Sequence, residues 1–322
     1  MRTEKEMGPA SVKLFYTDRF PLPLPDGHRF PAEKYRLLRE RVAAYDQADF
    51  ELLEAPAATD EELLLAHSVE YLDRLKSGDL GRDEVRRLGL PWSQELLIRS
   101  RHSAGGTIAA CRVAIDEGIS VCLAGGTHHA FRDEPEGFCV FNDSVIAARQ
   151  MQSEGRVRQV AVIDTDVHQG NGTAKITEGD SSIFTFSIHG ARNFPFKKTM
   201  SDLDFALPDA TEDESFLAAL RHGVERSLDL ARPQLVIFLA GADPFHGDRF
   251  SRWNVTKEGL AERDRIVLEA CYRRRIPVGV TMAGGYGKDI RDTVDIYAQS
   301  VMTAGEFCRR WNSETLITLG NC

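Results

Sequence analysis

Beyond residue 100 the chain repeats one rhythm, a short apolar run followed by a longer stretch with helical spacing. The runs are "SVCLAG", "QVAVIDTDVH", "SIFTFSIH", "QLVIFLAGAD" and "IPVGVTMAGG". Their Val, Ile, Leu and Phe are nearly continuous rather than alternating, the pattern of parallel strands covered on both faces. Between them, Phe216, Leu217, Leu220, Val224 and Leu228 follow a capping box read at Thr211 and Glu214. Another helix is expected to start near Thr256 and to carry Leu260, Ile266, Val267 and Ala270. Upstream, "TDEELLLAHSVEYLDRL" and "SQELLIRSRHSAGGTIAACRVAI" also read as helices. Strand–helix alternation predicts an α/β fold, one open and mostly parallel sheet with helices on both faces. The Pro-rich "FPLPLPDGHRFP" (Phe20–Pro31) reads as a loop rather than a linker, so residues 1–322 are expected to form a single domain.

The polar residues fall at the ends of these runs. His128 and His129 follow the first, Asp164, Asp166 and His168 close the second, and Ser187 and His189 end the third. Asp243 ends the fourth, and Gly284, Gly285 and Tyr286 follow the fifth. Open α/β sheets bind ligands outside the carboxyl ends of their strands, so five runs deliver chemistry to one edge. In "DTDVH", Asp166 and His168 can share an ion with Asp243 while Asp164 sits behind. Two carboxylates and one imidazole suit catalytic Zn²⁺, with Fe²⁺ or Co²⁺ as alternatives, and leave a position open. The triplet alone also suits a Ca²⁺ or K⁺ site, or a hydrogen-bonded cluster.

Composition narrows the classes. The chain has 49 acidic and 40 basic residues, a net charge of −9, and only a short basic tract, "CYRRRIPV", which argues against direct nucleic-acid binding. Six cysteines without a CxxC pair suit a reducing compartment, and Cys122 and Cys139 read as buried thiols. The absence of an apolar leader or an 18-residue apolar span predicts a cytoplasmic protein with no membrane partner. Among the other histidines, His28 and His246 are rim candidates. His67, beside Tyr71, reads as packing and capping on a helix, and His102 and His222 as surface or satisfied residues.

The segments "GGTHHA", "GFCVFND", "VIDTDVHQGNGT", "FSIH", "LAGADP" and "AGGYG", in this order, resemble the zinc-dependent histone deacetylase family. "LPWSQEL", "SAGGTIAA" and "NVTKEGLAERDR" look most like its class IV-type bacterial members. The resemblance runs from about residue 15 to 304, with both ends peripheral. It implies the arginase/deacetylase fold, a roughly eight-stranded parallel sheet flanked by helices. It also implies roles: Asp166, His168 and Asp243 as zinc ligands, His128 and His129 as the acid–base dyad, Tyr286 as the oxyanion donor, and Asp164 as the carboxylate behind His128. Gly137 matches a residue whose carbonyl faces the substrate amine, Phe138 and Phe194 the walls of an acyl-lysine tunnel, and Gly285 a close turn under the substrate. Asp164, Asp166, His168, Ser187 and Ile188 match a K⁺ site.

The chain departs from the family pattern at three places, one of them mild: "AGGY" stands for a run of three glycines before the tyrosine. Asn171 stands where many members have a second Asp behind the second histidine, and Gly89 in "LGLP" where many have a rim aspartate that grips the substrate backbone. The expected activity is metal-dependent removal of an acyl group, acetyl above all, from an acylated amine such as acyl-lysine or an acetylated polyamine. The alternatives are a non-catalytic metal-binding scaffold of the same fold and an arginase-type ureohydrolase. The latter wants a binuclear Mn²⁺ centre, and here Gly170 stands two residues after His168.

Overall fold

The computed structural model describes residues 11–45 and 49–320. Cys322 and the first ten residues lie outside them. The strands are β1 (Val12–Tyr16), β2 (Phe50–Glu54), β3 (Ile119–Cys122), β4 (Val160–Asp164), β5 (Ile183–Gly190), β6 (Leu203–Leu207), β7 (Leu235–Leu239) and β8 (Val278–Thr281). They form one sheet in the order β2-β1-β3-β8-β7-β4-β5-β6, and every pairing is parallel. The helices are α1 (Lys34–Ala43), α2 (Asp60–Leu63), α3 (Val69–Ser77), α4 (Arg82–Leu88), α5 (Gln94–Glu117), α6 (Asp143–Ser153), α7 (Asn171–Ile176), α8 (Asp213–Ala231), α9 (Lys257–Arg273) and α10 (Ile290–Gly320). No helix among the described residues is long and apolar enough to cross a membrane.

The five apolar runs are five of the six interior strands, β1 being the sixth. β3, β4, β7 and β8 are buried at every position, as continuous apolar character requires of strands covered on both faces. α8 lays Phe216, Leu220, Val224 and Leu228 on one face of the sheet, each fully buried side chain contributing about 1.5–3 kcal/mol. On the opposite face, α5 approaches closely through small residues: a Cβ at Gly106 would stand 2.8 Å from Cys122 Sγ, and one at Gly279 2.8 Å from Cys111 Sγ. All five described cysteines are buried.

Two local expectations change. The capping box at Thr211 does not form: its hydroxyl donates to Pro208 O at 2.7 Å, and Glu212 occupies the N-cap of α8 with no side-chain cap bond. Asp213 instead serves the neighbouring helix, accepting from Thr256 N (2.8 Å) and Oγ1 (2.6 Å), while Thr256 caps α9 through Gly259 N. The stretch from Thr59 is not one helix but α2 and α3, because Ser68 caps a new start at Tyr71 N. His67 lies in the break, fully buried, its Nε2 accepting from Asn142 N at 2.9 Å. Burial holds it near 4, a neutral packing residue.

The strand order positions the site. β3, β8, β7 and β4 are consecutive in the sheet, and their ends are level: Cys122 pairs with Thr281, Thr281 with Leu239, and Leu239 with Asp164. Segments scattered over 160 residues of chain therefore leave the sheet side by side.

Candidate active site

Asp166, His168 and Asp243 converge. One ligand atom from each lies within 4.8 Å of the others. His168 Nδ1 sits 3.0 Å from Asp166 Oδ1 and 3.1 Å from Asp243 Oδ2. The other oxygen of each carboxylate is taken by main chain: Asp166 Oδ2 accepts from Gly284 N (2.8 Å) and Asp243 Oδ1 from Val167 N (3.0 Å). Each carboxylate thus turns one oxygen to a common centre. Both are 1% exposed or less, and burying two negative charges is costly unless a cation answers them. Burial first, then the neighbouring Asp166, pushes Asp243 up to about 7. Burial works against a charged His168, but the two carboxylates outweigh it and hold the imidazole up at about 10. The donor set fits a divalent ion with three protein ligands. The described residues hold one such cluster, not the pair that a binuclear ureohydrolase centre needs.

The histidine pair is fixed from below. Asp143, at the start of α6, accepts from Gly126 N (2.9 Å), Thr127 N (2.7 Å) and Thr127 Oγ1 (2.7 Å), gripping the loop after β3. The two imidazoles stand 4.1 Å apart with different partners. His128 Nδ1 meets Asp164 Oδ2 at 2.6 Å. Burial disfavours its cation, but Asp164 and Asp166 outweigh that and hold His128 up at about 9. His129 Nδ1 meets Asn171 Oδ1 at 2.7 Å. Burial, then the neighbouring His128 and His168, hold it well below its usual value. The two environments therefore push the imidazoles apart, His128 toward its cation and His129 toward its neutral form.

Tyr286 faces the same space, its ring against Phe250 (4.9 Å) and Phe138 (5.7 Å). Its amide donates to Asp248 Oδ2 at 2.5 Å. Burial, then Asp166 and Asp243, raise its phenol well above 10, so it keeps its proton. Phe138, Phe194, Gly137, His129, His168 and Tyr286 line one cleft of about 480 Å³. Phe138 itself is left-handed (φ 67°), and the amides of Gly137 and Phe138 donate to Arg87 O (3.0 Å) and Leu88 O (2.8 Å). Gly89, at φ 72°, abuts that ring; a Cβ there would lie 2.9 Å from Phe138 Cε1. An aspartate at this position would therefore meet both backbone strain and the Phe138 ring.

Other expectations sit differently. Gly285 does not line the cleft; its carbonyl accepts from Lys34 Nζ at 3.0 Å, and a Cβ there would press on Tyr297 Oη. His246 turns away, packing on Phe245 with Nδ1 at 3.3 Å from Val255 O. His28 ties the Pro-rich loop to the rim: Nδ1 accepts from Phe30 N, which leaves Nε2–H to donate to Gly89 O (3.1 Å). His102 is satisfied by Ala55 O at 2.7 Å, and His222 stacks on Phe205. The sheet register places Asp164 beside Ser187, whose Oγ meets His189 Nδ1 at 3.0 Å, and Ile188 is fully buried.

Three supporting residues escape a reading of the sequence. Glu136 Oε2 accepts from Asn171 Nδ2 at 2.6 Å. A carboxylate only accepts, so the amide must turn its oxygen toward His129, which then carries its proton on Nδ1 and keeps Nε2 free as a base. Lys34 is buried behind Tyr286, its ammonium 5.0 Å from the ring centre. Arg263, buried and paired with Asp264 at 2.8 Å, donates to Gly241 O and braces the loop carrying Asp243.

The chain is similar to known proteins. The histone deacetylase domain family model matches residues 28–302. An uncharacterized protein of Picosynechococcus is 39% identical over 87% of this chain and 94% of its own length. Histone deacetylase 2 of Arabidopsis thaliana is 27% identical over 81% and 70%, and the acetoin utilization protein AcuC of Staphylococcus aureus 29% over 74% and 67%. Among solved structures, an HDAC homolog complexed with SAHA superposes with a TM-score of 0.79 over 92% of this chain and 84% of its own, at 21% identity. The HDAC homolog from Aquifex aeolicus gives 0.78 at 22% identity over the same shares. The chain belongs to the histone deacetylase family.

Proposed function

We infer that the protein is a metal-dependent amidohydrolase that removes an acyl group, acetyl above all, from an acylated amine such as acyl-lysine. The observation that carries the reading is the convergence of Asp166, His168 and Asp243 on one centre at the floor of a cleft that also receives His129 and Tyr286. Zinc suits this donor set, with iron(II) or cobalt(II) as alternatives. When bound, the ion supplies Lewis acidity, which makes water a nucleophile near neutral pH and polarises the acyl carbonyl. K⁺ beside Asp164, Asp166, His168, Ser187 and Ile188 is part of the same reading, as is a cytoplasmic location.

The chain's own groups do the rest. Phe138 and Phe194 hold the extended side chain of the substrate, and the Gly137 carbonyl orients its amide N–H. His129 takes a proton from the attacking water through Nε2, its tautomer set by Asn171 and Glu136. His128 remains cationic against Asp164 and balances the charge that develops. Tyr286 donates its hydroxyl to the tetrahedral oxyanion. The C–N bond then breaks, and the proton reaches the departing amine from the imidazole pair.

The test is turnover of a neutral fluorogenic Nε-acetyl-lysine amide. Zinc-loaded protein should release acetate and the free amine, and a chelator should abolish the reaction. No turnover by metal-loaded protein across a panel of acyl-lysines and acylated amines would overturn the reading.

A further inference from the structure

The mouth of the cleft is cationic although the chain is acidic. Arg29, Arg86, Arg87, Arg192, Arg249 and Arg252 all line it, and among the described residues no aspartate or glutamate does. Four separate segments supply them: the Pro-rich loop, the last turns of α4, the segment after β5 and the segment after β7. All six are exposed. Three carboxylates standing outside the cleft answer some of this charge. Asp83 meets Arg86 at 3.2 Å, Glu134 meets Arg87 at 2.6 Å, and Asp209 is shared between Arg192 (3.4 Å) and Arg252 (2.8 Å). Among the described residues, no carboxylate oxygen comes within 4.0 Å of a side-chain nitrogen of Arg29 or Arg249. The Arg29 guanidinium lies 5.9 Å from the centre of the Phe250 ring, and Arg249 donates at 3.5 Å to Lys288 O.

Arginines scattered on a surface usually serve solubility. Here six cations and no acid ring a cleft that reaches His129, His168 and Tyr286, in a chain where acids outnumber bases 49 to 40. We propose that the substrate presents negative charge beside its acylated amine, as an acyl-lysine flanked by aspartate or glutamate in an acidic peptide segment. This rests on the deacylase reading above and specifies its substrate. Guanidinium forks bind carboxylates in pairs of parallel hydrogen bonds, and Arg29 and Arg249 have theirs available. A cleft lined by one sign of charge also raises the encounter rate of oppositely charged partners by about 10–10³-fold. Gly89 offers no side chain to grip a peptide backbone, so the substrate's own charges take over that anchoring. An acetylated polyamine, whose remaining amines are cationic, meets the same field with the wrong sign.

The experiment compares kcat/KM for acetyl-lysine peptides of one length with acidic, neutral or basic residues on both flanks, together with an N-acetylated polyamine. At low ionic strength the acidic peptide should lead the basic one by about 10–10³-fold, with the polyamine poorest. That ratio should contract above about 0.5 M salt, where screening shortens the reach of surface charges. In the double variant Arg29→Glu/Arg249→Glu the acidic-to-basic ratio should collapse or invert, a readout internal to each protein preparation and so independent of its folded fraction. Turnover of all peptides at equal kcat/KM, or a ratio untouched by salt and by the double variant, overturns this proposal and leaves the deacylase reading standing. Failure on every peptide, with the neutral acetyl-lysine amide also inert, overturns both.

Discussion

Replacing His129 by alanine is expected to lower kcat/KM by about 10²–10⁴-fold, the range for removing a positioned general base. The expectation rests on the division between two imidazoles 4.1 Å apart. His129, facing an amide and hemmed in by like charge, is held toward its neutral form, the state a general base needs. His128, facing Asp164, stays charged below about 9. The sign of the pH response follows. A raised pKa means that the cation is present through neutrality and is lost as pH climbs past about 9, so wild-type kcat/KM should fall there. His129 is not among the converging ligands, so the variant should keep its divalent ion, and metal content measured on the same preparation separates lost chemistry from lost structure. A His129→Ala rate within about threefold of wild type would contradict the assignment of the base, given the usual contribution of at least about 10².

Replacing Tyr286 by phenylalanine is expected to lower kcat by about 10²–10³-fold, the cost of one missing oxyanion donor. The substitution isolates the hydroxyl. The backbone stays anchored by Asp248, and the ring keeps its contacts with Phe250, Phe138 and Lys34. In the proposed mechanism the hydroxyl acts on charge that develops during the reaction, so the loss should fall on kcat with KM little changed. A loss confined to KM would mean that Tyr286 serves ground-state binding alone.

The interior of the sheet was legible because β3, β4, β5, β7 and β8 are nearly continuous apolar runs, and polar residues at their ends could be read as one edge. β1, β2 and β6 lack that signature. "FELLE" and "LDFAL" are edge strands with half-exposed positions, and Lys13 interrupts β1. The supporting groups were hidden for a different reason. Asp133, Glu134 and Glu136 form one polar loop, and nothing in their spacing says that Glu134 reaches Arg87 while Glu136 reaches Asn171, 35 residues away. Asn171, standing where many family members have an aspartate, carries a carboxylate behind it in Glu136. Lys34 in "AEKYRLLRE" looks like an ordinary surface lysine of a helix, yet it is 1% exposed. The six arginines of the mouth come from four segments far apart in sequence, and only the crossovers of the sheet assemble them. Local pattern reports which face of an element is apolar, whereas partners brought together by topology leave no periodic trace.

The most direct measurement is a divalent-metal titration of chelator-stripped protein, with binding followed by the d–d absorption of Co²⁺ and activity assayed at each point. Wild type should take up one equivalent per chain and regain turnover in step with it, while Asp243→Ala should lose both the absorption and the activity with its fold intact by circular dichroism. Full turnover by metal-free protein, or unchanged stoichiometric uptake by Asp243→Ala, would contradict the shared centre formed by Asp166, His168 and Asp243.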